Sequence, residues 1–331
     1  MNWQSTKGNT STDATLTTHP AIAPVPVDTT LGVMRAVTFR ALVISAILTP
    51  LNSLWIVYTE IVRYAGHPTT TSLYFNVIFT ITCLLAVNEL IKRIRASWAL
   101  TQGELLVIYT LLSLTSSMVG HDMYQVLIAC IVHPFWFASP ANGWESLFFD
   151  YLPRWMMVDS KDILRGYMLG GDTFYKMEYM RAWLPIVMLW TGFFMILLIA
   201  MMCINVILRK RWTEQERLTY PITYVPVEIT RPGLSIFTNR LYWIGFGASA
   251  FIDVFNNLAE NFPSVPRINI RTIFLNQYIT GRPWNAIGWT PLAFFPFIIG
   301  ITYFLPLDLS FSCVFFYWFW KIQRVLTTYF G

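Results

Sequence analysis

The chain has 331 residues, of which 55% are hydrophobic, 17% aromatic and 12% charged, with a formal net charge of +5. A charged fraction this far below the roughly 25% of soluble domains excludes an ordinary water-soluble globular protein. The positive balance does not point to nucleic acid, because Lys and Arg sit in short clusters beside apolar runs and form no basic face interleaved with aromatics; they read as topology determinants.

Residues 1–34 are rich in Thr, Ser and Pro and lack an apolar core, which predicts a disordered cytoplasmic tail rather than a signal peptide. From 35 to 331 the pattern is that of one helical transmembrane domain. The first span, 41–62, carries Pro50 and Asn52 at its centre and Glu60 near its end. A second, 72–91, is closed by Lys92, Arg93 and Arg95, which places that loop and the tail on the cytoplasmic side. The third, 104–119, opens at Glu104 and ends at Gly120-His121-Asp122. The apolar run 123–137 is short for a crossing and contains Pro134. As a full crossing it would leave Arg209-Lys210-Arg211 outside, so a re-entrant or half-membrane helix is expected.

Residues 139–181 mix aromatics with both signs of charge and predict an external interfacial segment with short amphipathic helices. The stretch 182–208 carries no charge at all and is the clearest span of the chain. A cytoplasmic loop is expected at 209–240. The next span, 241–259, places Asp253, Asn256 and Asn257 at helical spacing in one polar stripe, beside Gly245, Gly247 and Ala248. The last apolar region, 291–320, is too long for one straight span and is interrupted by Pro306 and Asp308, so it is either a broken helix or a hairpin of two shorter ones. The expected fold is an all-α polytopic membrane protein with about six to eight transmembrane or half-membrane helices, some broken or re-entrant.

Cys83, Cys130, Cys203 and Cys313 lie in apolar stretches without metal-ligand spacing and read as small buried residues. No Cys/His or Glu/His cluster, Gly-rich phosphate loop or Ser-His-Asp order is present, so no catalytic group, metal or cofactor is assigned. Carboxylates at membrane depth are costly and each calls for an account. Glu60, Glu89 and Asp122 lie near span ends and read as interfacial groups, solvated or paired with Arg63 or Arg93. Glu104 suits either a first-turn carboxylate favoured by the helix dipole or a functional group. Asp253 and Asp308 are the stronger functional candidates. His121 and His133 read as structural histidines or as a proton relay.

Four stretches, in order, resemble the oligopeptide transporter (OPT) superfamily. They are Thr38-Phe39-Arg40-Ala41 leading into a span with Asn52 and Tyr58; Glu104 with LLVIYTLLSLTSSMVGHDMYQVLIACI; LRKRWTEQERLTYPITYVPVEI, with Arg209, Arg211, Glu216, Leu218, Tyr220, Pro221 and Glu228; and IIGITYFLPLDLSFSCVFFYW. After Tyr220-Pro221 the chain has Ile-Thr-Tyr-Val-Pro where that superfamily usually shows Glu-Gly-Thr-Ala, the mark of a divergent relative. The resemblance implies a proton-coupled secondary transporter of small peptide-like or metal-chelate solutes, built from two homologous halves whose broken helices meet at the bilayer midplane. This chain resembles the N-terminal half, so a second half or a second copy is the expected partner beside the lipid bilayer. Asn52, Tyr58, Glu104, Asp253, Asn256 and Asp308 would line the substrate and ion pathway. The location implied is the plasma or inner membrane, multi-pass, with a cytoplasmic N-terminus. The rival readings are a non-transporting scaffold or subunit of a larger membrane complex, and an intramembrane enzyme resting on His121, Asp122 and His133.

Overall fold

The computed structural model describes residues 36–331 apart from 65, 72, 217–219, 269 and 271. The tail expected at 1–34 and Leu218 of the third resembling stretch lie outside the described residues.

Helix α1, Phe39–Val57, starts at Thr38, whose hydroxyl accepts the Ala41 N–H as an N-cap, and it runs on through a π-turn at Tyr58–Val62. Helix α2, Phe75–Ile94, returns. Helix α3, Gln102–Val119, begins with a capping box in which Thr101 and Glu104 satisfy each other's backbone N–H. Contacts at two heights fix the arrangement of α1 and α3. Arg40 meets Glu104, and twelve residues further along each helix Asn52 meets Ser116, so the two helices are parallel and in step. Asn76 of α2 reaches the same Ser116, and Trp55 of α1 packs edge-on against Phe75 and Phe79, so α2 lies antiparallel beside both. Ala41, Val77, Ile81, Leu85, Leu105, Ile108 and Leu112 form the buried core between the three.

Gly120 ends α3 with an extended backbone, φ −64° and ψ 175°. A second π-turn, His121–Gln125, leads into α4, Val126–Phe137. The break expected before 123–137 is therefore present. Gly120 owes its identity to close approach: a Cβ there would lie 2.4 Å from Thr69 Oγ1 and 2.6 Å from Thr69 Cβ. Helix α5, Lys161–Leu169, and the long α6, Met177–Lys210, follow, the latter ending in a third π-turn at Arg211–Gln215. Tyr124 bonds Thr191 at 2.7 Å, while Ile131, Val132 and Phe135 share a second core with Trp183, Ile186, Phe149, Val158 and Leu164, so α4 runs antiparallel to the first half of α6. The 139–181 segment is folded over this core and pinned by the Trp190 Nε1 donation to the Met156 carbonyl.

The 209–240 segment is not irregular. It contains α7, Pro221–Ile229, which docks on the start of α3 through the Gln102 Nε2 bond to the Val227 carbonyl. Residues 88–102 and 230–234 line one cavity, so the two segments that the Lys/Arg pattern assigns to one side of the membrane are neighbours. Helix α8, Arg240–Asn261, precedes a two-residue antiparallel ribbon, β1 (Ile273–Phe274) with β2 (Pro291–Leu292). Helices α9, Pro296–Tyr303, and α10, Leu307–Phe330, are separated at 304–306, where Pro306 adopts an extended backbone; the interruption at Pro306 is as expected.

Three helical stretches, Phe39–Val62, Ala96–Phe137 and Met177–Gln215, are long and apolar enough to cross a membrane. Large apolar side chains such as Ile196, Val206 and Ile207 of α6 are exposed, which suits a hydrocarbon surrounding and would be an aggregation surface in water. The cysteine expectation is corrected: all four are exposed, because an apolar run in a helix packed on one side carries outward as well as inward positions.

Replacing Gly120 by Ala should lower the thermal unfolding midpoint in detergent, with a cost of about 1–3 kcal/mol for forcing Thr69 aside. Gly192→Ala, where nothing lies within 4 Å of the added carbon, should leave the midpoint unchanged or raise it.

Candidate functional site

Three buried polar levels run along the α1–α3 seam. At the first, Glu104 is 1% exposed and accepts from Arg40 Nε and Nη2, Thr38 Oγ1, and the N–H and hydroxyl of Thr101. Arg40 also donates to the Trp98 and Ala99 carbonyls, so this level ties the start of α1 to the α2–α3 connection. At the second, Asn52 Nδ2 donates to Ser116 Oγ at 2.8 Å and Asn76 Nδ2 to Asn52 Oδ1 at 2.7 Å; Asn76 Oδ1 is buried without a partner.

The third level lies where the two π-turns meet. Glu60, 1% exposed, accepts the Thr69 N–H at 2.9 Å and hydroxyl at 2.6 Å on Oε1, and Gln125 Nε2 at 2.8 Å on Oε2. Gln125 also holds the Val119 carbonyl freed by the break at Gly120, and the His121 N–H donates to Thr69 Oγ1. Sequence proximity suggests that Arg63 pairs with Glu60, and this is corrected: Arg63 Nε donates to Tyr58 OH at 2.8 Å and its guanidinium lies over that ring. A chain turned through a π-turn presents Glu60 inward and Arg63 outward. At 1.5 Å per residue the Glu104 and Ser116 levels are about 18 Å apart, and Asn52 and Glu60 about 12 Å, so the column is about 30 Å long, one hydrocarbon thickness.

Glu60 floors a cavity of about 460 Å³ lined further by Ile61, Tyr64, His121, Gln125, Val126, Ala129, Cys130, His133 and Tyr167. His67 stacks edge-on to His121 with ring centroids 5.8 Å apart, and its Nδ1 is buried without a partner. Among the described residues no group of His, Cys, Asp and Glu is arranged to hold a metal ion.

The model of a family of unknown function (DUF6785) matches residues 33–331. The chain belongs to that family. No curated protein and no solved structure matches it.

Of the residues singled out in this DUF6785 chain, Asn52 and Glu104 lie on the column at different levels. Tyr58 is exposed in the first π-turn with its hydroxyl taken by Arg63. Asp253 is exposed on α8; Asn256 is half-buried and accepts the Ile268 N–H, fixing the chain after that helix; Asp308 is exposed in the first turn of α10. None of these last three is brought to Glu60. The residues not anticipated are Asn76, Ser116, Thr69, Gln125 and the inward role of Glu60. A usable signal was present in part: Asn76 and Ser116 are polar residues inside apolar spans.

A second cavity of about 290 Å³ lies between α5 and α6 beside Tyr167, Trp183 and Asp172. The Lys176 ammonium at 2.8 Å, helped by Tyr179 OH and the Thr173 N–H, holds the Asp172 carboxyl down at about 2. Because this value is depressed in the fold, its stabilising effect is full above the ordinary value of 3.8 and is lost as pH falls towards 2. Asp172→Asn should therefore lower the unfolding midpoint modestly at neutral pH, where the effect is full, and flatten the acid limb in that window so that the two proteins converge at low pH, checked by thermal scans from neutral pH downward.

Arg40→Met should be strongly destabilising, about 3 kcal/mol, because Glu104 is left buried without its cation. Arg40→Met with Glu104→Gln should recover a large part of that loss, and a simple sum of the two single effects in the double variant would count against the pairing.

Proposed function

We propose that this chain is the membrane-spanning body of a proton-coupled secondary transporter of the OPT kind, moving small peptide-like or metal-chelate solutes by alternating access. The observation that carries the reading is Glu60: a buried carboxylate held, among the described residues, by neutral donors alone, at the meeting of two interrupted helices and at the end of a polar column as long as the hydrocarbon is thick. Interrupted helices free backbone groups that can hold ions or substrate ends, and a carboxylate at the mouth of the span without a fixed counter-ion is suited to exchange a proton with the medium. In this reading α1, α2, α3 with α4, α6, α8, α9 and α10 supply the crossings and half-crossings in a plasma or inner membrane, with the α2–α3 and 209–240 segments cytoplasmic. Glu60 takes precedence over Asp253 and Asp308 as the proton-exchanging group, since those two are exposed, Asp253 on a helix with no buried residue and Asp308 thirteen residues from the buried Lys321 of its own helix.

A second reading, a non-transporting scaffold or subunit, draws on the exposed aromatic face of α10 at Phe311, Phe315 and Phe319, an area available to a protein partner.

Purified protein in liposomes, offered a mixed peptide and metal-chelate library with and without an inward proton gradient, should accumulate solute only with the gradient. Glu60→Gln should abolish that accumulation while Asp253→Asn and Asp308→Asn retain it, with insertion and monodispersity unchanged. Undiminished gradient-driven uptake in Glu60→Gln would remove Glu60 from the coupling step. Failure of the folded protein to accumulate anything, together with one stoichiometric copurifying partner, would support the scaffold.

A further inference from the structure

We infer that the cavity floored by Glu60 is a binding site for an organic cation, a solute with a single ammonium group on an apolar or aromatic body. The inference rests on the transporter reading for its biological sense, but its argument is the chemistry of the cavity. Glu60 accepts two hydrogen bonds on Oε1 and one on Oε2, whereas an ionised carboxylate has room for about four. The open acceptor position is on Oε2, beside Gln125. All three donors are neutral, and among the described residues no Lys or Arg forms an ion pair with Glu60. The nearest basic residue in sequence, Arg63, is engaged by Tyr58. A buried carboxylate without a counter-ion is costly, and a ligand cation that completes its coordination offsets that cost.

The walls agree with such a ligand. Tyr64 and Tyr167 line it with aromatic rings, which attract a cation, and Ile61, Val126 and Ala129 with an apolar surface for its body. The imidazoles of His121 and His133 provide adaptable hydrogen-bonding groups, and no Lys or Arg lines the cavity to favour an anion. A volume of about 460 Å³ is in the range of small-molecule sites. The floor is also the joint between the two π-turns, because Gln125 bonds both Glu60 and the Val119 carbonyl. An ammonium on Oε2 therefore contacts the element that sets the break at Gly120, and it competes with a proton for the same oxygen.

Cys130 lines the cavity and is exposed, so its alkylation reports occupancy. In full-length protein with Cys83, Cys203 and Cys313 changed to Ser, the rate of maleimide labelling of Cys130 is measured in liposomes with phenethylammonium, phenethyl alcohol or phenylpropionate. The ammonium should protect saturably, the alcohol should need about tenfold more, and the carboxylate should not protect. Glu60→Gln should remove the preference for the ammonium over the alcohol, and Tyr167→Leu, at a half-exposed position, should weaken ammonium protection about threefold with no effect on the alcohol beyond lost contact. Equal protection by ammonium and alcohol, protection by the carboxylate, or no protection at all overturns the inference, and this charge series decides it even where Glu60→Gln does not assemble. Ammonium protection with no gradient-driven uptake of any library solute leaves the cation site and removes the transporter; gradient-driven uptake of library solutes without ammonium protection does the reverse.

Discussion

The parallel pairing of α1 with α3 is the constraint on which the remaining structure depends. In hydrocarbon no hydrophobic force draws two apolar helices together, so their association relies on packing and on polar groups that find partners only across the seam. Here such groups occur at three heights: Arg40 with Glu104, Asn52 with Ser116, and Glu60 with Gln125. Each partner on α1 has a partner on α3 or its extension, so a slip of one helix past the other by a turn would leave every one of them unpaired at once. The register is therefore set electrostatically, while the small buried residues Ala41 and Ser45 let the backbones approach.

The breaks follow from the same pairing. Carrying α1 inward to Glu60 and α3 outward to Gln125 requires a residue without a side chain where Thr69 crosses, and Gly120 is that residue. Thr69 does more than occupy space: its hydroxyl receives the His121 N–H and donates to Glu60, which links the loop after α1 to both π-turns. The carbonyl left free at Val119 by the break is taken by Gln125. The site's geometry is thus a by-product of satisfying the backbone at an interrupted helix, which is why its polar groups converge there and not at Asp253 or Asp308.

The carboxy-terminal helices are organised differently. Lys321 is 1% exposed on α10 yet among the described residues meets no carboxylate; its ammonium donates to the Ile287 and Trp289 carbonyls, at 2.9 and 2.6 Å, and lies over the rings of Tyr317 and Trp320. Carbonyl dipoles and aromatic faces here substitute for a counter-ion. The left-handed Gly288, backed by the Arg324 guanidinium, lets the 284–290 chain lie close against α10. This loop is held to the helix by cations on carbonyls and ring faces, whereas the α1–α3 seam pairs two carboxylates with Arg40, Gln125 and hydroxyl groups and joins Asn52 to Ser116.

Read alone, the amino-acid order determines that the chain is helical with runs apolar enough to cross a membrane, the places where those runs start and stop, and the interruptions near 120 and 306. These are local properties: run length against bilayer thickness, Gly or Pro in a helix, and Lys/Arg clusters beside spans. It also offers Glu104 as a first-turn carboxylate favoured by the helix dipole or as a functional group, and the structure adds the capping box with Thr101. What only the tertiary structure decides is which polar residue faces inward. Glu60 and Arg63 are neighbours in the chain and look like a surface pair, but a π-turn alters the angular step of the helix and sends them to opposite sides. The partners of Glu60 come from Thr69 and from Gln125, 65 residues away. The cysteines show the converse: apolar surroundings in sequence do not distinguish the protein interior from the lipid face, because both select the same residues, and only packing tells them apart.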